Sequence, residues 1–146
     1  MIAIACDHGG YALKEAVKAH LDELGLAWRD FGTNSTDSCD YPDFAIPAAR
    51  AVASGACERG ILVCTTGIGI SITANKVNGI RCALLSDTVS AKLCRNHNNT
   101  NMMALGQGIV GEKLALQIVD TWLHAEFEGG RHQRRIDKMM AVEKNP

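Results

Sequence analysis

The run Ile61-Leu62-Val63-Cys64 breaks into Thr65-Thr66-Gly67-Ile68-Gly69-Ile70-Ser71, and that transition constrains the fold more than any other stretch. Consecutive apolar residues suit a strand buried on both faces. The small, glycine-rich turn behind them leads into a helical stretch over 70–77. A thiol is therefore expected at the carboxyl end of a strand, beside a helix N-terminus. Unpaired backbone N–H groups project from such a terminus and favour negative charge nearby. That setting favours a thiolate, stabilises an oxyanion, or does both.

Elsewhere, short apolar runs alternate with helical patterns. Residues 2–6 read as a first strand. Leu13, Val17, Leu21 and Leu24 recur at helical spacing, and Gly25 stops that helix. Residues 26–31 read as a second strand ending at Gly32, and 33–41 is polar and turn-rich. A helix opens at Pro42, with Phe44, Ala45, Ala48, Ala49 and Val52 facing inward; Pro47 sits in its first turn or kinks it. Strand 60–64, helix 68–77 and strand 80–85 follow. Ser86 or Asp87 caps a helix running to about Arg95. Residues 102–105 make a short strand and 112–123 a helix. The segment 129–146 is basic at first and weakly helical over 133–142. The alternation predicts an α/β fold, a three-layer αβα sandwich around a five-stranded parallel, Rossmann-like sheet. At 146 residues one domain is expected over 1–146, with a C-terminal helical arm from about residue 129.

A formal net charge of −1 argues against a nucleic-acid partner, which would demand a strongly basic balance. No apolar run approaches the ~20 residues of a membrane span. The apolar start Met1-Ile2-Ala3-Ile4-Ala5-Cys6 lacks a basic leader and meets Asp7-His8 at once, so it reads as a strand and not a signal peptide. The expectation is a soluble, cytoplasmic protein with reduced thiols. No two of the six cysteines stand as C-x-x-C, which argues against a zinc ribbon or a thioredoxin-like site. Cys6, Cys57, Cys82 and Cys94 suit small buried hydrophobes, whereas Cys39 lies in a polar loop.

Ligands of parallel α/β sheets bind outside the carboxyl ends of the strands. Asp7-His8-Gly9-Gly10 follows the first strand; it either makes a turn, or shares a proton task or binds hydroxyls and phosphate. Cys64 is a core thiol, a nucleophile or a general base. Gly67-x-Gly69, with Asp87 twenty positions on, partly matches a dinucleotide fingerprint, but Ile72 replaces the third glycine. A Walker loop is excluded, because no Gly-Lys-Ser/Thr ends the turn. His97 in Asn96-His97-Asn98-Asn99 is a capping cation or, among amides that both donate and accept, a contact for a polyhydroxylated ligand. Arg131 and Arg135 are four apart and share a helix face, which suits solvent or a small phosphate.

Taken together, these motifs resemble the type B ribose-5-phosphate isomerases and their galactose-6-phosphate isomerase relatives. The resemblance runs through Cys6-Asp7-His8-Gly9-Gly10, Asp40-Tyr41-Pro42, Cys64 to Ser71, Ala74-Asn75-Lys76, Gly79-Ile80-Arg81, Arg95-Asn96-His97-Asn98 and Gly129-Gly130-Arg131-His132. It implies interconversion of an aldose and a ketose phosphate, with neither metal nor redox cofactor. Cys64 matches the base that moves a proton between C2 and C1. The Thr66 hydroxyl and backbone N–H groups around Gly67, Ile68, Gly69 and Ser71 would hold the enediolate. Asp7 and His97 resemble the ring-opening pair. His8, Arg131 and Arg135 match phosphate positions, and Tyr41 and Asn98 match contacts to sugar hydroxyls. Members are homodimers or dimers of dimers, with each site built across the interface. Two departures stand out: Thr65 occupies a position commonly glycine, and Asn99 one commonly aspartate.

Overall fold

Ile2, Ile4 and Cys6 face one side of the first strand and Ala3 and Ala5 the other, and all five are buried. A strand apolar on both faces belongs inside a covered parallel sheet. The computed structural model, which describes residues 1–145, places it there. The strands are β1 (Ile2–Cys6), β2 (Trp28–Asp30), β3 (Arg59–Cys64), β4 (Cys82–Leu84) and β5 (Met102–Gly106). The helices are α1 (Tyr11–Glu23), α2 (Tyr41–Ala53), α3 (Ile68–Asn75), α4 (Thr88–Asn98), α5 (Glu112–His124) and α6 (Arg131–Met140). The strands form one parallel sheet ordered β2-β1-β3-β5-β4.

Strand alternation sorts the helices into two layers. Ile4, Ile61, Val63, Met103 and Leu105 pack with Leu13, Val17 and Leu21 of α1, Ala91 of α4, and Ile118, Val119 and Trp122 of α5. The opposite faces, Ala3, Ala5, Leu62, Cys64 and Ala104, pack with Ala45, Ala48 and Ala49 of α2 and Ile70 and Ala74 of α3. Alanines on both partners let α2 approach the sheet closely. Cys64 thus faces the α2–α3 layer.

The edge strands are shorter than the sequence predicts: β2 covers three residues instead of 26–31, and β4 three instead of 80–85. Each has a neighbour on one side only, and its flanks keep single bonds to that neighbour, from the Phe31 N–H to the Ile4 carbonyl at 2.9 Å and from the Leu85 N–H to the Ala104 carbonyl at 3.0 Å. A buried ion pair pins β2: Lys14 of α1, fully buried, reaches both Asp30 carboxylate oxygens at 2.8 Å and also donates to the Thr33 carbonyl. Lys18 adds a contact at 2.8 Å. Burial pushes the Asp30 carboxyl up, but hydrogen bonds from Lys14, Lys18 and the Gly32 N–H outweigh it and hold Asp30 below the ordinary aspartate value.

Helix boundaries also differ: α3 ends at Asn75 instead of 77, and α6 ends at Met140 instead of 142. α2 begins at Tyr41, with Pro42 in its first turn, where no N–H is needed. Pro47 stays inside the same helix; Asp43, the carbonyl four residues back, is exposed, so water can replace the missing bond. α4 runs past Arg95 to Asn98 and stops where Asn99 turns left-handed at φ 45°. α6 starts at Arg131, directly after Gly130 at φ 58°. No helix among the described residues is long and apolar enough to cross a membrane.

Candidate active site

The strand order creates the crevice. The chain leaves β3 toward the α2–α3 layer, while its neighbours β1 and β5 hand over to α1 and α5 on the other face. Connections diverging at adjacent strand ends leave a cleft there. Cys64 is the last residue of β3, is paired with Gly106, and sits at the floor of that cleft.

The backbone turns at Gly67, which holds φ 78° as the N-cap of α3. That left-handed turn brings the Gly67 N–H back onto the thiol, donating to Cys64 Sγ at 3.1 Å. Room for a side chain is absent: a Cβ on Gly67 would lie 2.5 Å from Leu84 Cδ1 and 2.9 Å from the Leu105 carbonyl carbon. Gly106 is equally required, because its Cβ would lie 2.5 Å from the Thr66 carbonyl oxygen. The Ile68 N–H donates to Thr66 Oγ1 at 3.2 Å. The next N–H groups, Gly69 and Ile70, find no acceptor among the described residues. A helix N-terminus with open donors beside a thiol can stabilise charge developing on a substrate oxygen. Ser71, buried in the same turn, directs its hydroxyl to the Ile68 carbonyl at 2.8 Å and so braces the helix start.

Neighbouring strand ends supply the walls. Asp7 is buried after β1, and its Oδ1 accepts from the Gly9 N–H at 2.9 Å. His8 Nδ1 accepts from the Cys39 N–H at 3.2 Å. That bond occupies the lone pair of Nδ1 and places the proton of a neutral ring on Nε2, which is then a donor suited to an anion. Tyr41, partly exposed at the start of α2, lays its ring over Gly69, where a Cβ would come 2.6 Å from Tyr41 Cζ. Thr65 is exposed, with its side chain between Gly9 and Gly108. Asp7, His8, Tyr41, Cys64, Thr66, Gly67, Ile68, Gly69 and Ser71 therefore gather at this edge.

His97, Asn98, Arg131 and Arg135 do not join them within one chain. α4 ends just before β5 begins, at the amino edge of the sheet, whereas Cys64 stands opposite the last residue of β5. Four residues of strand separate the two edges, roughly 13 Å at 3.3 Å per residue. At the amino edge His97 stacks on His132 of α6, with ring centroids 4.3 Å apart. Arg131 and Arg135 are exposed on the same helix. A cavity of 510 Å³ opens nearby, bounded by Cys82, Cys94, Asn98, Met139 and Met140. Asn99 replaces a possible charge with a helix cap: its Oδ1 accepts from Arg95 Nη1 at 2.9 Å and its carbonyl from Arg81 Nη2 at 2.7 Å.

The remaining sequence readings also find places. Asp87, the acid of the dinucleotide reading, caps α4 by accepting from the Ser90 N–H at 2.6 Å. Ile72, in the place of the third glycine, is exposed instead of lying against a strand. Cys6 and Cys57 are buried as expected, but Cys82 and Cys94 are only half-buried and border the cavity. Burial pushes the Cys6 and Cys82 thiols up to about 12, so both stay protonated at neutral pH. Sequence reasoning missed His132 as the partner of His97. The i, i+4 spacing of Glu128 and His132 was its only local signal.

Comparison with known proteins matches this arrangement. The ribose/galactose isomerase family model covers residues 2–139. Ribose-5-phosphate isomerase B of Escherichia coli is 51% identical over 142 residues, spanning 97% of this chain and 95% of that protein. The structure of Clostridium thermocellum ribose-5-phosphate isomerase B superposes with a TM-score of 0.98 at 52% identity, covering 99% of this chain and 97% of that one. The Mycoplasma genitalium ribose-5-phosphate isomerase B, solved with bound ribulose-5-phosphate, superposes with a TM-score of 0.95 at 43% identity, covering 99% and 97%. Matched along almost its whole length in sequence and fold, the chain belongs to the ribose/galactose isomerase family.

Proposed function

We propose that this chain is an aldose–ketose isomerase interconverting ribose 5-phosphate and ribulose 5-phosphate through an enediolate. The observation that carries the reading is the Cys64 thiol at a strand end, hydrogen-bonded by the Gly67 N–H at 3.1 Å and facing an open helix N-terminus. The names of the Escherichia coli and Mycoplasma genitalium relatives support the pentose phosphate as substrate.

In this mechanism Asp7 and His97 open the furanose. One takes the proton of the anomeric hydroxyl while the other protonates the ring oxygen. Cys64, as thiolate, removes the C2 proton of the open aldose. The C2–H electrons form the C1–C2 double bond of the enediolate, and the carbonyl electrons move onto O1. The Thr66 hydroxyl and the open N–H groups of the Gly67–Ser71 turn, those of Gly69 and Ile70, hold that charge, while the Gly67 N–H steadies the thiolate. A proton passes from the O2 hydroxyl to O1, and the thiol returns its own proton to C1. His8, Arg131 and Arg135 hold the phosphate; Tyr41 and Asn98 contact sugar hydroxyls. Because His97, Asn98 and the arginines stand at the opposite edge, a second copy supplies them, in a homodimer or pair of dimers. The single 1–146 unit works in the cytoplasm.

Turnover of ribose 5-phosphate in deuterium oxide, without added metal or cofactor, tests the reading. Ribulose 5-phosphate carrying deuterium is the expected product, and Cys64→Ala removes it by about 10²–10⁴-fold with folding intact. Unchanged turnover in that variant overturns the mechanism. Thr65, exposed at the mouth of the cleft, favours a second substrate assignment, to allose 6-phosphate, galactose 6-phosphate or a tetrose phosphate. Higher kcat/KM on one of these than on ribose 5-phosphate would select it.

A further inference from the structure

Three ligand-bearing side chains converge where α4 meets α6. His97 stacks on His132 with ring centroids 4.3 Å apart and planes 11° from parallel. His132 Nε2 lies 3.6 Å from Glu128 Oε2. One ligand atom from each of His97, Glu128 and His132 lies within 4.8 Å of the others, and no other grouping of three such residues exists among the described residues. The backbone carrying Glu128 is tied to α4 beside His97. Its N–H donates to the Asn96 carbonyl at 3.0 Å, and Asn96 Nδ2 donates to the Glu126 carbonyl at 2.6 Å.

The donor chemistry is that of a metal site. The His132 Nε2 and the Glu128 carboxylate face each other at 3.6 Å, and a ring nitrogen of His97 lies within 4.8 Å of both. Two imidazoles and a carboxylate make the three-protein-ligand set that binds zinc and leaves a fourth position open. Such nitrogen-rich sets favour Zn²⁺, Co²⁺ or Ni²⁺ over Mg²⁺ and Ca²⁺, which take oxygen. Donors about 2.0–2.2 Å from zinc stand roughly 3.3–3.6 Å apart in a tetrahedron, so the triad must close by about 1 Å. Glu128 is exposed and can swing inward. The two rings must also turn out of their stack, because the in-plane lone pairs of near-parallel imidazoles do not converge on one ion.

We propose that His97, Glu128 and His132 bind a divalent transition ion of the zinc type, and that the ion switches off the isomerase by occupying His97. The inhibitory half rests on the isomerase reading, in which His97 must exchange a proton with the sugar. The binding half does not.

Full-length protein stripped of adventitious metal is titrated with Co²⁺, whose d–d absorption reports coordination, and then with Zn²⁺. The expected result is one tetrahedral Co²⁺ per chain, displaced by Zn²⁺, with isomerase activity lost on Zn²⁺ addition and restored by a chelator. Glu128→Gln leaves basal turnover intact and weakens both Co²⁺ binding and Zn²⁺ inhibition roughly 10–100-fold. His132→Asn weakens Co²⁺ binding alike. A thiolate-to-cobalt charge-transfer band would put the ion on cysteines and overturn the site, as would binding unchanged in both variants. Co²⁺ binding that both variants lose, in a protein that turns over no sugar phosphate, upholds the site while removing the isomerase reading. Turnover without stoichiometric Co²⁺ binding removes the site alone.

Discussion

Thr65 and Gly9 are sterically coupled: a Cβ on residue 9 would lie 2.0 Å from Thr65 Oγ1. Glycine at 9 makes room for the threonine at 65. A larger residue at 9 is therefore best accommodated by a smaller one at 65. Gly9→Ala alone destabilises by about 1–2 kcal/mol, because the exposed Thr65 side chain can rotate away. Adding Thr65→Gly restores most of that loss, a coupling within the ~0.5–3 kcal/mol seen for residues in contact. Gly10→Ala meets the Val63 carbonyl oxygen at 2.5 Å, a backbone atom that cannot rotate. It costs more, and Thr65→Gly does not rescue it. Urea unfolding of the three single variants and two doubles measures each arm.

Asp30 should control acid stability. Its carboxyl is held below the ordinary aspartate value, so its contribution is fully present above pH ~3.9 and is lost as pH falls through the folded value. Asp30→Asn leaves the fully buried Lys14 without its counter-charge and destabilises by about 3–5 kcal/mol at pH 7. Lys14→Met, which removes the buried charge itself, is milder. Thermal unfolding from pH 7 to 3 checks both, and the variant Asp30→Asn should lose less stability over that range than the wild type. An equal cost for the two substitutions would mean that the pair does not act through burial of Lys14.

Gly67 ties backbone strain to chemistry. Alanine there must adopt φ 78° and meets the Leu105 carbonyl carbon at 2.9 Å, so Gly67→Ala loses about 2–4 kcal/mol. Where the variant is still folded, kcat falls at least tenfold, about the effect of losing one charge-stabilising donor, while KM changes little. Single-turnover kinetics at low temperature separates this from simple unfolding. A variant with altered KM and normal kcat would show that the Gly67 N–H does not serve the transition state.

The separation of Cys64 from His97 makes complementation decisive. Cys64→Ala and His97→Ala homodimers should both be inactive. Mixed by unfolding and refolding at equal amounts, they yield heterodimers with one intact site each, or about a quarter of wild-type activity by random pairing. Silence of the mixture, with heterodimers verified by mass, would place both groups in one chain's site.

The thiol, the turn and the layer order were legible in the sequence because each has a local signature. An apolar run, a glycine pair and a helical period lie within a few residues of one another. Strand order was not legible: β5 inserts between β3 and β4, and nothing local in 102–106 records it. Nor was the Lys14–Asp30 pair, which joins residues sixteen apart and looks in sequence like two ordinary surface charges. His97 and Cys64 both drew attention as chemistry, yet their placement at opposite edges follows only from the direction of α4. The reach of α4 to Asn98 depended on whether Asn99 would turn left-handed. Asparagine tolerates that turn without requiring it.

The Cys64–Gly67–Gly106 corner divides the protein's evolutionary freedom. Gly67 and Gly106 abut neighbouring backbone with no space for a methyl group, so the thiol and its turn are locked to the β3–β5 pair. Thr65, Tyr41 and the 33–40 loop stand outside that lock and are open to substitution. A lineage built on this corner can exchange one sugar for another by redecorating its rim, generation after generation, without relearning the reaction.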